Sequence, residues 1–254
     1  MRDPLGDRMK GQYENRTRYY LPRRTYTIIR LDGKSFHTLT RGMTRPYDHN
    51  VMDAMDHATL RLCETVEGVA FAYTQSDEIS LLLTDFGSPT TQAWFDGNIQ
   101  KLASVSASIA TAHFNEVFPV DKLGYFDSRV FTIPDFIEVY NYFVWRQEDA
   151  IRNSISGAAQ AFFSPKDLHG KKCHQMLQML HEAGFPWEAY PTDFRHGRFF
   201  ESATVRADVT YKDKRTGEEK VMQNVVRTVW KSAEELPRFT SNPQWLRDRI
   251  PTYD

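Results

Sequence analysis

FAYTQSDEISLLL, residues 71–83, is the stretch whose reading decides the fold. Residues 71–74 and 79–83 are apolar and strand-prone, and the polar QSDE between them leaves room for a tight turn, so the segment reads as a β-hairpin. Upstream, Gly68 separates this hairpin from residues 50–66. There Val51, Met55, Ala58 and Leu62 recur at helical spacing and predict an amphipathic helix. Before the helix, RTYTIIRL (24–31) is β-branched and aromatic, and it runs into Asp32-Gly33. Downstream, residues 98–118 read as a second helix. Its small residues Ala103, Ser106, Ala107 and Ala110 let a helix lie close to a sheet. SRVFTIP (128–134) is a further strand that Pro134 stops.

The order is β-α-β-β-α-β, the split βαβ arrangement. It predicts an α+β, palm-like antiparallel sheet with helices on one face. In this topology the first strand lies antiparallel to the return strand of the hairpin. The end of strand one and the hairpin tip then meet, which brings Asp32 to Asp77. Two convergent carboxylates beside a glycine suit two Mg²⁺ ions that bridge a triphosphate. Either aspartate taken singly reads as an ordinary turn residue.

Other candidates surround this pair. Gly33 allows close backbone approach and offers a carbonyl to metal. Lys34, Ser35, Phe36 and His37 continue a turn whose amides can cradle phosphate. Ser76 is a hydroxyl donor at the hairpin tip. Glu78 reads as a catalytic group, as support behind the metal ligands, or as a solvated hairpin residue. Arg45 suits a phosphate. Asp48 reads as an acceptor for a base edge or as a helix N-cap. Lys101, Arg129, Arg146 and Arg152 are candidate phosphate contacts, or else ion-pair charges. Trp145 and the Phe162-Phe163 pair read as core.

Composition sets the bounds. The chain has 254 residues, 41% hydrophobic, enough for a sizeable core, and a formal net charge of −1. No global basic field points to nucleic acid, so any RNA contact must use local clusters. Cys63 and Cys173 lie far apart without metal spacing, as expected of a cytoplasmic protein. No apolar run is long enough for a membrane span, and MRDPLGDRMK lacks the apolar region of a signal peptide. The eight histidines show neither an H-E-x-x-H motif nor paired spacing, so no zinc site is expected.

The second half is read as an extension, 135–254, packed on a core of 1–134. Asp135 caps a predicted helix over 136–162. Ser164-Pro165 opens another, over 166–183, that Gly184 ends. Residues 201–211 and 220–231 alternate enough for a hairpin, and the end from Pro237 reads as irregular.

RLDGKSFHTLT (30–40), RPYD (45–48), AYTQSDEISLLL (72–83), FDSRVFTIP (126–134) and YFVWRQEDAIRNS (142–154), in this order, resemble the histidine-tRNA guanylyltransferase family. The likeness is closest to its bacterial, archaeal and phage-type branch, and covers residues 24–160 well. The resemblance implies a template-dependent 3′-to-5′ nucleotidyltransferase that adds nucleotides to the 5′ end of tRNA after ATP or GTP activates that end. It implies metal positions at Asp32, Gly33 and Asp77, and a triphosphate site over Asp32 to His37 with Ser76. It places Arg45 toward the triphosphate, and Lys101 and Arg129 at basic positions used for phosphate or tRNA. From the residues themselves, Asp48 and Lys101 are assigned to the nucleotide, and Arg129, Arg146, Arg152 and Asn153 to tRNA. A homotetramer is implied as well. Eukaryotic members carry His-Ile-Asn-Asn-Leu-Tyr-Asn where this chain has Ile151-Arg152-Asn153-Ser154-Ile155-Ser156-Gly157. That departure favours 5′-end repair over guanylylation of histidine tRNA. The rival readings are a palm-fold nucleotide cyclase acting without RNA, and an RNA-recognition module, which the missing aromatic in ISLLL disfavours.

Overall fold

The computed structural model describes residues 3–119 and 122–253. Its strands are β1 (Tyr26–Gly33), β2 (Val69–Gln75), β3 (Glu78–Leu83), β4 (Phe126–Ile133), β5 (Arg198–Lys212) and β6 (Glu219–Ser232). They form one sheet in the order β4-β1-β3-β2-β5-β6, with every neighbouring pair antiparallel. The helices are α1 (Pro4–Gln12), α2 (Phe36–Leu39), α3 (His49–Thr65), α4 (Ile99–Val117), α5 (Phe136–Phe162), α6 (Pro165–Leu168), α7 (Cys173–Glu182), α8 (Thr192–His196) and α9 (Pro243–Arg247). The β-α-β-β-α-β core is as expected, and β1 does pair with β3.

The strands' two-residue alternation divides the core. Ile29, Leu31, Ile79 and Leu81 face α3 and α4, joined by Met55, Ala58, Leu62 and Phe114. Tyr26, Ile28, Tyr73 and Leu82 face the other way, where Val139, Tyr142 and Phe143 of α5 cover them. The core helices therefore share one face, as expected, and the extension closes the other. The second cluster also takes in Leu236, Phe239, Leu246 and Ile250. The irregular end thus docks against α5. The sheet runs on through β5 across the boundary expected near residue 134.

Caps explain the helix limits. The Asp135 side chain accepts from the Glu138 amide at the start of α5, and Asn98 does the same for Lys101 on α4. The helix expected over 166–183 is instead two pieces, α6 and α7. Gly170, in left-handed backbone at φ 72°, stands between them. Beyond β2 the β5–β6 hairpin extends outward, and Tyr211, Val221, Met222 and Val226 are exposed on it.

Candidate active site

Two turns meet at one end of the sheet. Asp32 on β1 faces Glu78 on β3 in register. The Gly33 amide donates to the Asp77 carbonyl at 2.9 Å. The turn between β2 and β3 is Ser76-Asp77 alone. Ser76 sits in left-handed backbone at φ 49°, as does Ser35 in the neighbouring turn at φ 57°. Non-glycine residues take this conformation at a cost that functional turns tend to carry. Gly33 is needed for a different reason. Its backbone is ordinary, but a Cβ there would lie 2.4 Å from the ring of Phe36. That ring is buried against Phe114 and Phe126. Phe36 is therefore core, and its contribution to a ligand is its backbone amide.

Beside the turns opens a cavity of about 510 Å³. Gly33, Ser35, Phe36, His37, Arg45, Asp48, Ser76, Asp77 and Asn153 line it, so nine of the expected residues share one concave surface. The start of α3, the middle of α5, and Asp193, Phe194 and Arg198 complete the wall. Asp48 plays its bland part too: it accepts from the amides of Thr44 and Asn50 and caps α3. The Lys34 amide is taken by the Tyr125 carbonyl, which removes it from a phosphate cradle.

Burial pushes the Asp77 carboxyl above its usual range, and the nearby Asp32 charge pushes it further. Among the described residues no guanidinium or ammonium is paired with Asp77. Asp32 is a third exposed and has Arg129 at 3.5 Å. A largely buried carboxylate beside a second one lacks the positive charge that burial normally requires. His37 is the nitrogen base that acts on Asp77, and the two carboxylates are oxygen donors of the kind a hard divalent cation such as Mg²⁺ prefers.

Four expectations are corrected. Glu78 is neither solvated nor on the cavity wall. It is buried, with Arg30 at 2.5 Å and Arg146 at 2.7 Å. Arg146, expected to face tRNA, has only 2% of its side chain exposed and also binds Asp149 at 2.9 Å. Lys101 lies in the first turn of α4, where Leu102 borders Thr27 and Leu83. That is the opposite end of the sheet from Asp32, so Lys101 cannot serve this nucleotide site; it rests over the Phe95 ring. Trp145 and Phe162 are half exposed rather than core. Trp145 covers the Arg146 guanidinium at 3.7 Å, while Phe162 stacks on Phe185 at 4.0 Å. Arg152 is exposed and paired with Asp149 at 2.7 Å.

Nothing in the sequence singles out Arg198. Its side chain is 5% exposed, it is ion-paired through Nε with Asp56 of α3, and its Nη2 has no partner among the described residues. An arginine in the run between Phe185 and Phe199 carries no signature, and only the fold, which makes Arg198 the first residue of β5, brings it to the cavity. Nor did spacing reveal that His57, His113 and Glu116 converge on one point of the α3–α4 surface.

A family model described as tRNA(His) guanylyltransferase matches residues 6–134. A bacterial tRNA(His) guanylyltransferase-like protein solved in complex with ATP is 36% identical, with a TM-score of 0.84 over 98% of this chain and 100% of that one. A bacterial protein of the same description in complex with GTP is 36% identical, with a TM-score of 0.76 over 97% and 99%. The tRNA(His) guanylyltransferase of Debaryomyces hansenii is 32% identical over 155 residues, spanning 57% of this chain and 56% of that protein.

Proposed function

This chain belongs to the tRNA(His) guanylyltransferase family, and we propose that it is a template-dependent 3′-to-5′ nucleotidyltransferase repairing the 5′ end of tRNA. The observation that carries this reading is the hydrogen bond from Gly33 to Asp77. It clamps two acidic turns together at the mouth of a cavity large enough for a nucleoside triphosphate. The bacterial relatives solved with ATP and GTP support a nucleotide there.

Asp32 and Asp77, with the Gly33 carbonyl, would hold two Mg²⁺ ions, which when bound supply nucleophile activation and charge neutralisation at phosphorus. The chain's own residues do the rest. The amides of Ser35, Phe36 and His37 donate to no backbone partner among the described residues and are available to phosphate oxygens. Arg45 adds positive charge on the same wall. Ser76 fixes the hairpin tip that carries Asp77. Glu78, gripped by Arg30 and Arg146, anchors the strand directly behind it.

The 151–157 segment supports repair over untemplated addition. Ile151 and Ile155 point away, into a core with Leu180 and Trp187. Of the residues facing the cavity, Ser154 is occupied by the Ile151 carbonyl and the Trp187 indole. Gly157 offers no side chain. Asn153 is left as the polar group of this segment at the cavity, too little to select an unpaired base. A base paired to the tRNA template is held in place by stacking and hydrogen bonds before reaction, and specificity then rests in the RNA.

RNA is expected to lie along the rim near Arg129 and Arg152, both half exposed. The uncovered β5–β6 hairpin is the surface we assign to assembly, as a homotetramer. No described helix is long and apolar enough to cross a membrane.

The test uses a tRNA lacking its first nucleotide and carrying a 5′-triphosphate, with all four NTPs and Mg²⁺. The expected result is lengthening at the 5′ end by the nucleotide that pairs with the opposing base, switching when that base is switched. Addition of G whatever the template base would overturn repair. NTP cyclisation without RNA would replace the whole reading by a cyclase.

A further inference from the structure

Outside the cavity, two helices bring together a set of side chains with metal-binding chemistry. His57 lies midway along α3, and His113 and Glu116 lie one turn apart near the end of α4. A single carboxylate oxygen, Glu116 Oε2, is 3.1 Å from His57 Nε2 and 2.8 Å from His113 Nδ1. One ligand atom from each residue falls within 4.8 Å of the other two. None of the three lines the cavity described above.

We propose that His57, His113 and Glu116 form a binding site for a Zn²⁺-like transition metal, separate from the Asp32–Asp77 pair. The donor set decides the class of metal. Two imidazoles and one carboxylate suit zinc and its borderline neighbours, whereas Mg²⁺ prefers oxygen alone. Geometry agrees. A tetrahedral zinc about 2.0–2.1 Å from each ligand holds ligand atoms about 3.3 Å apart. The two measured separations differ from that by a few tenths of an ångström, within small side-chain rotations. The three side chains are 27%, 32% and 57% exposed, so an ion can enter and water can take a fourth position.

The backbone beneath is closely packed. Ala54 and Ala58 on α3 and Ser106 and Ala110 on α4 are fully buried small residues that let the two helices lie close. A bound ion would tie together two elements that both border the nucleotide site. The first turn of α3 carries Asp48 and Val51 of the cavity wall. The end of α4 holds Gly124 through Asn115. The Tyr125 carbonyl next to that glycine receives the Lys34 amide. The role assigned to the metal is therefore to brace the layer behind the site. The competing account is that Glu116 simply accepts a hydrogen bond from each histidine, with no ion involved.

Cobalt distinguishes the two. The full chain, stripped of metal and returned to excess Mg²⁺ so that the oxygen site is filled, is titrated with Co²⁺. The expected result is one equivalent producing the visible absorption of a low-coordinate nitrogen-bearing site, displaced by Zn²⁺. In His57→Ala and in Glu116→Gln the affinity should fall at least tenfold, with ATP binding unchanged. Zn²⁺ should also raise the melting temperature of the wild type but not of Glu116→Gln, an exposed change that leaves the helix intact. Absence of the absorption in the wild type, or equal affinity in the variants, would overturn the proposal.

Discussion

Asp77 and Glu78 are neighbours in sequence and opposites in environment. Glu78 is buried between two guanidiniums, Arg30 and Arg146, the second itself covered by Trp145. Burial pushes its carboxyl up and both guanidiniums pull it back; with contacts this short we take it as ionised. Asp77 is almost as enclosed, yet no guanidinium among the described residues is paired with it; another carboxylate, Asp32, pushes its carboxyl up, and His37 opposes this more weakly. A fold that neutralises one buried acid fully and leaves the adjacent one bare has separated two tasks. The compensated side holds the hairpin in place. The uncompensated side is held ready for a positive ligand.

That contrast should show most strongly in activity. Asp32→Ala and Asp77→Ala are each expected to reduce nucleotide addition by about 10³-fold or more, since the same charge stabilisation at phosphorus is lost in either. Far-UV circular dichroism should remain that of the wild type. Near-wild-type turnover in either variant would remove the distinction between the two sides.

Stability should show the reverse. Arg146→Ala leaves the buried Glu78 with Arg30 alone and breaks its fully buried ion pair, and a cost of about 3–5 kcal/mol in urea unfolding is expected. Arg152→Ala, at the exposed end of the same Asp149 cluster, should cost below about 0.5 kcal/mol. Comparable values for both would mean that Arg146 is not the keystone of the compensated side.

The smallest effect concerns pH. In the metal-free protein the Asp77 carboxyl holds its proton above the ordinary carboxylate range, by burial first and by Asp32 second. The stability it contributes is therefore complete below the unfolded value, about 4. It is lost as pH rises through the raised folded value. Asp77→Asn has no such loss. At neutral pH without metal the variant should melt above the wild type, with the gap closing as pH falls toward that of the free acid. A variant less stable at every pH would show that Asp77 is a structural residue like Glu78.

How much of this the sequence reveals follows from which forces are local. The strands, the caps at Asp48 and Asp135, and the meeting of Asp32 with Asp77 depend on periodicity, turn chemistry and topology, all written in short stretches. The role of Arg146 does not. On a helix, its charge predicts solvent, and only the tertiary position of Glu78 overrides that. Trp145 was misread for the matching reason: its exposed ring shields the arginine from water rather than filling a core. Lys101 was misassigned because α4 starts at the far end of the sheet and runs back toward the site, so its first turn lies a whole strand length away. Arg198 and His57 act through partners on other elements, and no spacing rule connects them.

The central claim is that Asp32 and Asp77 form one cation-binding unit. Counting bound Mn²⁺ by electron paramagnetic resonance, with and without ATP, tests it most directly. The nucleotide-dependent ions are the ones to count, which sets aside any ion held by His57 and His113. Two such ions per chain are predicted for the wild type, falling to one or none in both Asp32→Asn and Asp77→Asn. An unchanged count in either variant would contradict the account.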